Sequence, residues 1–452
     1  MATNLLSAFN AEMWSKEALV QLNKHQIMGQ LFNRDFEETF AQNKGEIVHT
    51  HSLSRFTGQR LTNGSELTEE AAVGTGLDVK LNQHVYVSYK ITERDLNMSF
   101  PELIRTFIQP AAAAMTEMID AICFGEIWNF KANQVGSLAT AASYSKLVKA
   151  NKVMSQNLNP KDGRFMVGGP QFESDLLLEE KITEARMIGV GPDKVPLLTG
   201  AIGAGSGFDI GMSQIAPEVS GSFESIALTI DEVAGYAIGD SVLTVDAAAS
   251  DTLVGCTIEI SGFFYVITAD TVATGAGDIT ISPALKAAVA DNVVLAAYPG
   301  VLINKAAGYA AGYEDWIEVD GNSGAFPAVG QGAYISNVGY GIIKSDSANG
   351  KIMLNRPLEA AIADNAIVGT TPPGAYSMGM RSGAATLVVK PMPVPQIGTI
   401  VGSVDFLNGF GVRSMLSYDH KAMGWLFSMD CLVGVKTTDV NQGVIYLSKE
   451  TD

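Results

Sequence analysis

Charge is scarce in this chain. Only 17% of its 452 residues are Asp, Glu, Lys or Arg, while 47% are hydrophobic. That balance argues against a disordered polypeptide and gives a surface poorer in charge than a soluble monomer usually presents. A globular protein with so few surface charges often hides surface in an assembly. Basic residues are the scarcer sign, with 30 Lys and Arg against 48 Asp and Glu and a net charge of −18. Recognition of nucleic acid through a basic groove is disfavoured, because such binding depends on Lys and Arg neutralising phosphates. Cysteine is rarer still. Cys123, Cys256 and Cys431 lie far apart without C-x-x-C spacing, so no disulfide framework is expected, and structural burial in a reducing cytoplasm is.

Nor does the sequence suggest a leader or a membrane span. The start, MATNLLSAFNAEMW, has neither the basic region nor the sustained apolar core of a signal peptide. Uncharged stretches such as Asn292 to Asn304, with Pro299 inside, fall short of the roughly 20 residues a spanning helix needs. Neither feature is therefore expected.

Signatures of catalysis are equally thin. The five histidines are His25, His49, His51, His84 and His420. His49-x-His51 places both rings on one face of a strand, which can bind a metal, but no Cys or carboxylate stands at a matching spacing. A polar strand face is expected there. Gly203-Ala204-Gly205-Ser206-Gly207 is not a nucleophile elbow, since Ala204 and Phe208 flank Ser206 at the positions that require glycine. A P-loop needs Gly-Lys-Ser/Thr, and Gly350-Lys351 runs into Ile352. The 203–207 stretch is expected to be a flexible surface loop. Glu117 with Asp120, and Glu69 with Glu70, are carboxylate pairs of the kind used in acid and base catalysis. Without a His, Lys or Tyr cluster beside them they read as solvated helix and loop faces. Trp128 with Phe130 and Phe263 with Phe264 read as packing anchors. No catalytic, cofactor-binding or metal-binding residue is assigned, no cofactor is expected, and the chain is not expected to be an enzyme.

What the chain does contain is length enough for two or three domains, each burying its own core. Residues 12–41 read as a helical arm, with Leu19, Leu22, Ile27 and Leu31 near helical spacing and little core of their own. From Gly45 the period changes to two. Leu77, Val79, Leu81, Val85, Val87 and Tyr89 alternate with polar or outward-facing residues, so a strand is expected, paired with Ile47 to Leu53 in a long hairpin whose tip is the Gly-bearing stretch from Thr57 to Gly76. Ser99-Phe100-Pro101-Glu102 has the spacing of a capping box with proline in the first turn. Leu103, Phe107, Ala111, Ala114, Met118 and Ile122 then carry the helical period to about Phe130, with a bend expected at Pro110. A second helix over Tyr144–Gln156, a turn at Asn157–Gly163, a strand over Arg164–Val167 and a third helix over Gln171–Ile188 give an α+β unit. Residues 189–211 are Gly-rich and read as irregular.

From Ile226 the composition shifts. Ile226 to Tyr340 holds two basic residues, Lys286 and Lys305, against thirteen acidic ones, which a separate domain explains. The run Pro283-Ala284-Leu285-Lys286-Ala287-Ala288-Val289-Ala290-Asp291-Asn292 recurs as Arg356-Pro357-Leu358-Glu359-Ala360-Ala361-Ile362-Ala363-Asp364-Asn365. Upstream, Gly255, Ser261 and Tyr265 recur as Gly330, Ser336 and Tyr340, so the second copy is two residues shorter, with the turn Gly275–Asp278 as the expected place of the loss. Each copy reads as short strands joined by Gly and Asp turns. Whether the two close one barrel or form two modules is open. Beyond Pro372-Pro373 a mixed pattern returns, with strands over Cys431–Lys436 and Val444–Leu447.

This order resembles the major capsid proteins of tailed bacteriophages with the HK97-like fold, and within them the P22-like coat proteins that carry an inserted β-barrel domain. Leu147 to Leu177, with Asn159-Pro160, Gly163-Arg164-Phe165-Met166-Val167 and Pro170, is similar to the helix, turn, strand, helix of their peripheral domain. Gly239-Asp240 followed by Gly255-Cys256-Thr257-Ile258-Glu259-Ile260-Ser261-Gly262 resembles the opening of the inserted domain, and Cys431-Leu432-Val433-Gly434-Val435 with Gly443-Val444 resembles the closing strands. The resemblance implies an α+β chain divided as follows: an N-terminal arm (1–43), an extended β-hairpin loop (44–98), a spine helix and peripheral domain (99–190), the first part of an axial domain (191–225), an inserted β-rich domain (226–371), and the axial remainder with the final peripheral strands (372–452). It implies self-assembly into hexamers and pentamers of an icosahedral shell around double-stranded DNA bound without sequence specificity. The partners it implies are a scaffolding protein, a portal protein at one vertex and a decoration protein. It also implies location in the virion after assembly in the host bacterial cytoplasm. No cross-linking chemistry is carried over. The alternative is an encapsulin-type nanocompartment shell, which shares the fold but is shorter and usually lacks such an insert. An adhesive repeat protein is opposed by the helical first half and by the absence of an export signal.

Overall fold

The computed structural model describes residues 16, 18, 20, 27–34, 47–51, 56, 58–61, 69–71, 76–92, 104–179, 203–220, 225–247, 253–271, 275–321, 326–394, 400–407, 410–419 and 424–450. Of the expected arm, Lys16, Ala18 and Val20 are helical and α1 spans Met28–Leu31; Leu19 and Leu22 lie outside the described residues. The arm was expected to need a neighbouring copy, yet Met28 and Phe32 are buried in this chain's main core. Asn33 explains the docking: its N–H donates to the Ala385 carbonyl at 3.1 Å and its carbonyl accepts from Leu387 N at 3.0 Å, extending a sheet edge of the same chain.

The period-two run after Gly76 keeps its inward face but changes partner. Strand β1 (Ile47–His51) pairs antiparallel with β2 (Gly76–Lys80), from Ile47 opposite Lys80 to His51 opposite Gly76. At Leu81-Asn82 the ladder breaks, and β3 (Gln83–Thr92) joins a different sheet. One uninterrupted hairpin strand was expected. The alternation could not reveal the break, because Val79, Leu81, Gln83 and Val85 remain buried on one side throughout.

The long helix is three helices in series. Residues 99–103, including the capping box, lie outside the described residues. A π turn covers Ile104–Ile108, α2 covers Gln109–Phe124, and a 3-10 helix covers Gly125–Asn133. Proline has no N–H to donate to the preceding turn, and the π turn ends just before Pro110, where that bond is missing. By length and composition the run Thr106–Asn133 could cross a membrane, although no span was expected and Glu117, Asp120, Glu126 and Lys131 interrupt it. Its Met115, Ile119, Ile122, Ile127 and Trp128 are fully buried in this chain's core.

Two sheets form the body. The first has strand order β4 (Gln134–Gly136), β26 (Gly443–Ser448), β21 (Gly374–Arg381), β5 (Arg164–Gly168), β7 (Phe208–Met212), β6 (Gly203–Gly205), with β8 (Glu218–Val219) also on β21. Helices α3 (Tyr144–Gln156) and α4 (Pro170–Leu178) belong to it through Leu147, Met154, Phe172 and Leu176, which share a core with Met166, Phe208 and Tyr446. The third helix ends at Leu178 instead of Ile188, since Glu179 has turned extended; residues 180–188 lie outside the described residues. The 203–207 stretch is the hairpin β6–β7 and not a flexible loop. Ser206 and Gly207 take φ of 53° and 82°, the left-handed pair that a two-residue turn between twisted strands requires. The second sheet runs β22 (Ala385–Lys390), β25 (Gly424–Thr437), β24 (Phe410–Asp419), β23 (Ile400–Leu407), and β3 lies along β25 from Thr92 opposite Gly424 to Gln83 opposite Val433.

Between β8 and β21 the chain builds two closed barrels. Strands β9 (Ile226–Ile230), β10 (Val242–Ala247), β11 (Thr257–Ile260), β12 (Phe263–Asp270), β13 (Gly275–Ser282) and β14 (Val294–Tyr298) close in the order 10-13-12-11-14-9. The second barrel consists of β15 (Val301–Ile303), β16 (Ile317–Gly321), β17 (Gly332–Ile335), β18 (Val338–Asp346), β19 (Lys351–Leu354) and β20 (Ile367–Thr370), closing as 16-19-18-17-20-15, the same ring copied. The repeat is thus two modules, each with its own core. The details recur with it. Tyr236 bridges Val289 as Tyr309 bridges Ile362, and the Tyr265 hydroxyl accepts from Lys286 N as that of Tyr340 accepts from Glu359 N. The two missing residues fall between Thr271 and Asp278, opposite the shorter Asp346-to-Lys351 turn.

Trp128 joins these parts. Its ring meets Tyr376 of β21 edge-on at 4.8 Å and Phe264 of the first barrel at 6.3 Å, while its carbonyl accepts from the Tyr334 hydroxyl of the second barrel at 3.0 Å. A Cβ on Gly332 or Gly339 would come within 2.6 Å of Trp128, so only glycine lets the second barrel approach. Phe130 and Phe264 are buried with Trp128, and Phe263 is half-buried. Trp128→Ala is expected to cost about 3–5 kcal/mol. Denaturant unfolding should show that loss, with faster amide exchange confined first to residues 255–270 and 332–341.

Candidate functional site

Among the described residues, a buried polar junction at the end of the long helix brings the most charged groups together. Glu126 is fully buried. Its Oε1 accepts from Asn355 Nδ2 at 2.9 Å and faces Arg356 Nε at 3.4 Å. Its Oε2 accepts from Asn129 Nδ2 at 2.9 Å and from the Thr437 backbone N–H and hydroxyl at 3.0 and 2.6 Å. Arg356 in turn donates to Glu359 at 2.6 Å, to Asn129 Oδ1 at 3.1 Å and to the Gly339 carbonyl at 2.9 Å, and Lys436 reaches Glu359 at 3.0 Å. Burial works against the Arg356 charge, but Glu126 and Glu359 outweigh it and hold the guanidinium above its usual pKa. Helix, second barrel and β25 therefore share one set of charges. The arrangement holds the end of the helix, the second barrel and β25 to one another.

Glu126 and Asn355 carry no signature in the sequence, and Arg356 stands out there only as the first residue of the second repeat copy. A signal existed in the repeat: Arg356 and Glu359 stand where the first copy has Pro283 and Lys286, and of these Arg356 grips the helix while Glu359 ties Arg356 to Lys436 of β25. The first barrel is held by a neutral device. Gln134 Nε2 donates to the Phe264 carbonyl at 2.7 Å and its Oε1 accepts from Phe264 N at 3.1 Å, imitating a strand edge.

The residues singled out from sequence are scattered. Glu117 is exposed as expected, but Asp120 is buried and not solvated. Its carboxylate accepts the backbone N–H groups of Ile27, Met28 and Gly29 at 3.2, 3.2 and 3.4 Å, anchoring the arm. Burial pushes the Asp120 pKa up to about 6, against the pull of those three bonds. Glu69 and Glu70 are exposed. His49 Nδ1 lies 2.6 Å from Asp78 Oδ1 on the exposed hairpin, so a carboxylate does stand beside it across the ladder. His84 Nε2 lies 2.9 Å from Asp430, whose carboxylate also pairs with Arg413, tying β3, β24 and β25 together. His25 and His420 lie outside the described residues, as does the side chain of His51. Among the described residues no group of three His, Cys, Asp or Glu could hold a metal ion. All three cysteines are buried and unpaired, and burial pushes the Cys256 and Cys431 thiols up to about 12.

Compared with known proteins, no family description and no curated sequence matches the chain. Solved structures do resemble it along most of its length. A chain from the capsid of Ralstonia phage GP4 is similar over 93% of this chain and 88% of its own, with 11% identity and a TM-score of 0.43. A chain from the capsid of the cyanophage P-SCSP1u is similar over 94% and 89%, with 9% identity and a TM-score of 0.43. A chain from Mycobacterium phage Che8 is similar over 93% and 90%, with 12% identity and a TM-score of 0.41.

Two predictions follow from the buried charges. Arg356→Met leaves Glu126 without its ion-pair partner and is expected to destabilise the chain by about 3–5 kcal/mol. In a double-mutant cycle with Glu126→Gln, unfolding should reveal a coupling of about 1–3 kcal/mol, whereas additive losses would show that the pair does not act as a unit. For Asp120 the folded pKa of about 6 exceeds the ordinary 3.8, so the folded chain holds a proton that the unfolded chain releases. This contribution is full below the ordinary value and fades as pH rises through about 6. Asp120→Asn should therefore flatten the dependence of Tm on pH between about 4 and 6.

Proposed function

We propose that this chain is the major capsid protein of a tailed bacteriophage, assembling into an icosahedral shell around double-stranded DNA. The observation that carries the proposal is the β1–β2 hairpin. A two-stranded ribbon is marginally stable alone, and the small buried cluster at this one is Val48, Val79 and Leu81 with Val388 of β22. An element of this kind finds its missing cover on a neighbouring copy, as subunits of a closed shell provide.

On this reading the chain has the HK97-like arrangement with a P22-like insertion, expanded to two barrels. Residues 1–43 are the arm, 44–98 the extended loop, 99–190 the spine helix and peripheral domain, 191–225 and 372–452 the axial domain with the last peripheral strands, and 226–371 the insert. The scarcity of Lys and Arg suits a wall that encloses DNA without gripping it. Its partners are copies of itself in hexamers and pentamers, a scaffolding protein, a portal and a decoration protein, in a virion assembled in the bacterial cytoplasm. The encapsulin reading is disfavoured by the two barrels, which enclosure of cargo enzymes does not call for.

Electron microscopy of the full chain, expressed with and without the phage's scaffolding protein, is expected to show closed shells or hexamers. A monodisperse monomer under all these conditions would sink the proposal.

A further inference from the structure

The two barrels present equivalent ends to different surroundings. In the second barrel the end formed by Ala311, Gly312, Leu358 and Glu359 faces this chain's own β2 and β25, across a cleft of about 390 Å³ that Lys80 and Lys436 also line. Lys436 donates to Glu359 at 3.0 Å, and a Cβ on Gly312 would lie 3.7 Å from Lys80 Nζ. A lysine-bearing surface therefore covers this end.

The matching end of the first barrel stands open, and it is more apolar. Val233 and Ile238 are 89% and 69% exposed, at the positions where the second barrel has Ala306 and Ala311. Val242 and Val294 are exposed nearby. The chain after β9 runs beside β10, with Asp231 N donating to the Thr244 carbonyl at 3.0 Å, which brings Val233 toward Val242. A shallow, open depression lined by Tyr236, Gly239, Asp240, Ser241 and Val242 lies there. Asp240 lines it, and Asp231, Glu232 and Asp240 are all exposed on the same β9–β10 connection. Through Ile226–Tyr298 the first barrel carries nine acidic residues against one basic one, Lys286, which is half-buried at the position that Glu359 holds in the second barrel.

The complement is α3. Its sequence, YSKLVKANKVMSQ, has no acidic residue. Lys149 and Lys152 are exposed three residues apart on one face. Val148 and, just beyond the helix, Leu158 are exposed apolar residues, and Lys161 is exposed as well. Lys146 is occupied, donating to the Ala141 carbonyl at 2.8 Å.

We infer that the acidic, apolar end of the first barrel docks on the α3 face of a second copy of this chain. This rests on the shell reading and names one of its contacts. The join is head-to-tail, using one patch of each copy on one side and the other patch on the other, which propagates through an assembly instead of closing a dimer. Val233 and Ile238 against Val148 and Leu158 bury apolar surface, and the lysines facing Asp231, Glu232 and Asp240 set the register.

The test reverses charges in the full chain. Asp231→Lys with Glu232→Lys, or Lys149→Glu with Lys152→Glu, is expected to raise the concentration needed for assembly about tenfold or more. All four changes together should restore it, read by sedimentation and electron microscopy. Either reversal assembling as the unaltered chain does, or a folded four-site variant that does not recover, overturns the contact. If melting shows that the four-site variant does not fold, an Ile238→Cys, Val148→Cys pair decides. An intermolecular disulfide in assembled material supports the contact, and its absence overturns it. Shells that form without this contact leave the capsid reading standing, whereas a chain that remains monomeric removes both.

Discussion

A carboxylate taken wholly out of water must be answered by donors on every side, and Glu126 is answered from three parts of the chain at once. Asn129 comes from its own helix, Asn355 and Arg356 from the second barrel, and Thr437 from β25. None of these elements can shift without leaving a buried charge short of partners, a loss far larger than the net worth of an ordinary hydrogen bond. The positions of the second barrel and of β25 are therefore fixed to the helix end. The same constraint accounts for small residues nearby: Gly125 leaves room for the Asn355 side chain, and Gly341 abuts Gly125 backbone to backbone.

Duplication supplied two copies of one barrel, and their differences reveal what each is for. The shared features are those that close a barrel, namely the Tyr236 and Tyr309 bridges, the Tyr265 and Tyr340 hydroxyls, and the left-handed Asn292 and Asn365. The divergent ones lie where a barrel meets something else. Pro283 against Arg356 and Lys286 against Glu359 separate a barrel held by the neutral Gln134 from one held by ions.

How much was legible in the sequence followed from the kind of information each feature carries. Helix α3 and strand β5 lie where the pattern put them, because period and turn residues are local. The repeat was visible as repeated letters, and the turn that loses two residues was found nearly in place. Partnership was not legible. The alternation from Leu77 to Tyr89 is identical whether one sheet or two receive it, so the change of partner at Leu81-Asn82 left no trace in the period. Asp120 and Glu126 looked like any helical carboxylates, since burial is decided by segments more than 90 residues away for Asp120 and more than 220 for Glu126 and Asn355. The glycines of 203–207 suggested mobility, although a tight hairpin turn demands left-handed backbone and favours the same residue.

The place where the chain leaves and rejoins the first sheet explains how that sheet stays whole around two barrels. Strand β8, the last before the barrels, pairs with β21, the first after them, with Val219 opposite Gly374 and Glu218 opposite Ala375. The chain thus leaves the sheet and returns to it at adjacent points, and the sheet is completed across the gap whatever lies between. Adjacent ends let the sheet close whatever the barrels do, but they fix neither the barrels' orientation nor their distance from the body. Trp128, Glu126 and Gln134 provide both, and all three sit within nine residues at the end of the long helix. The tightening of that helix from α to 3-10 at Gly125 falls in the same short segment, so one stretch of backbone both ends the long helix and seats two barrels.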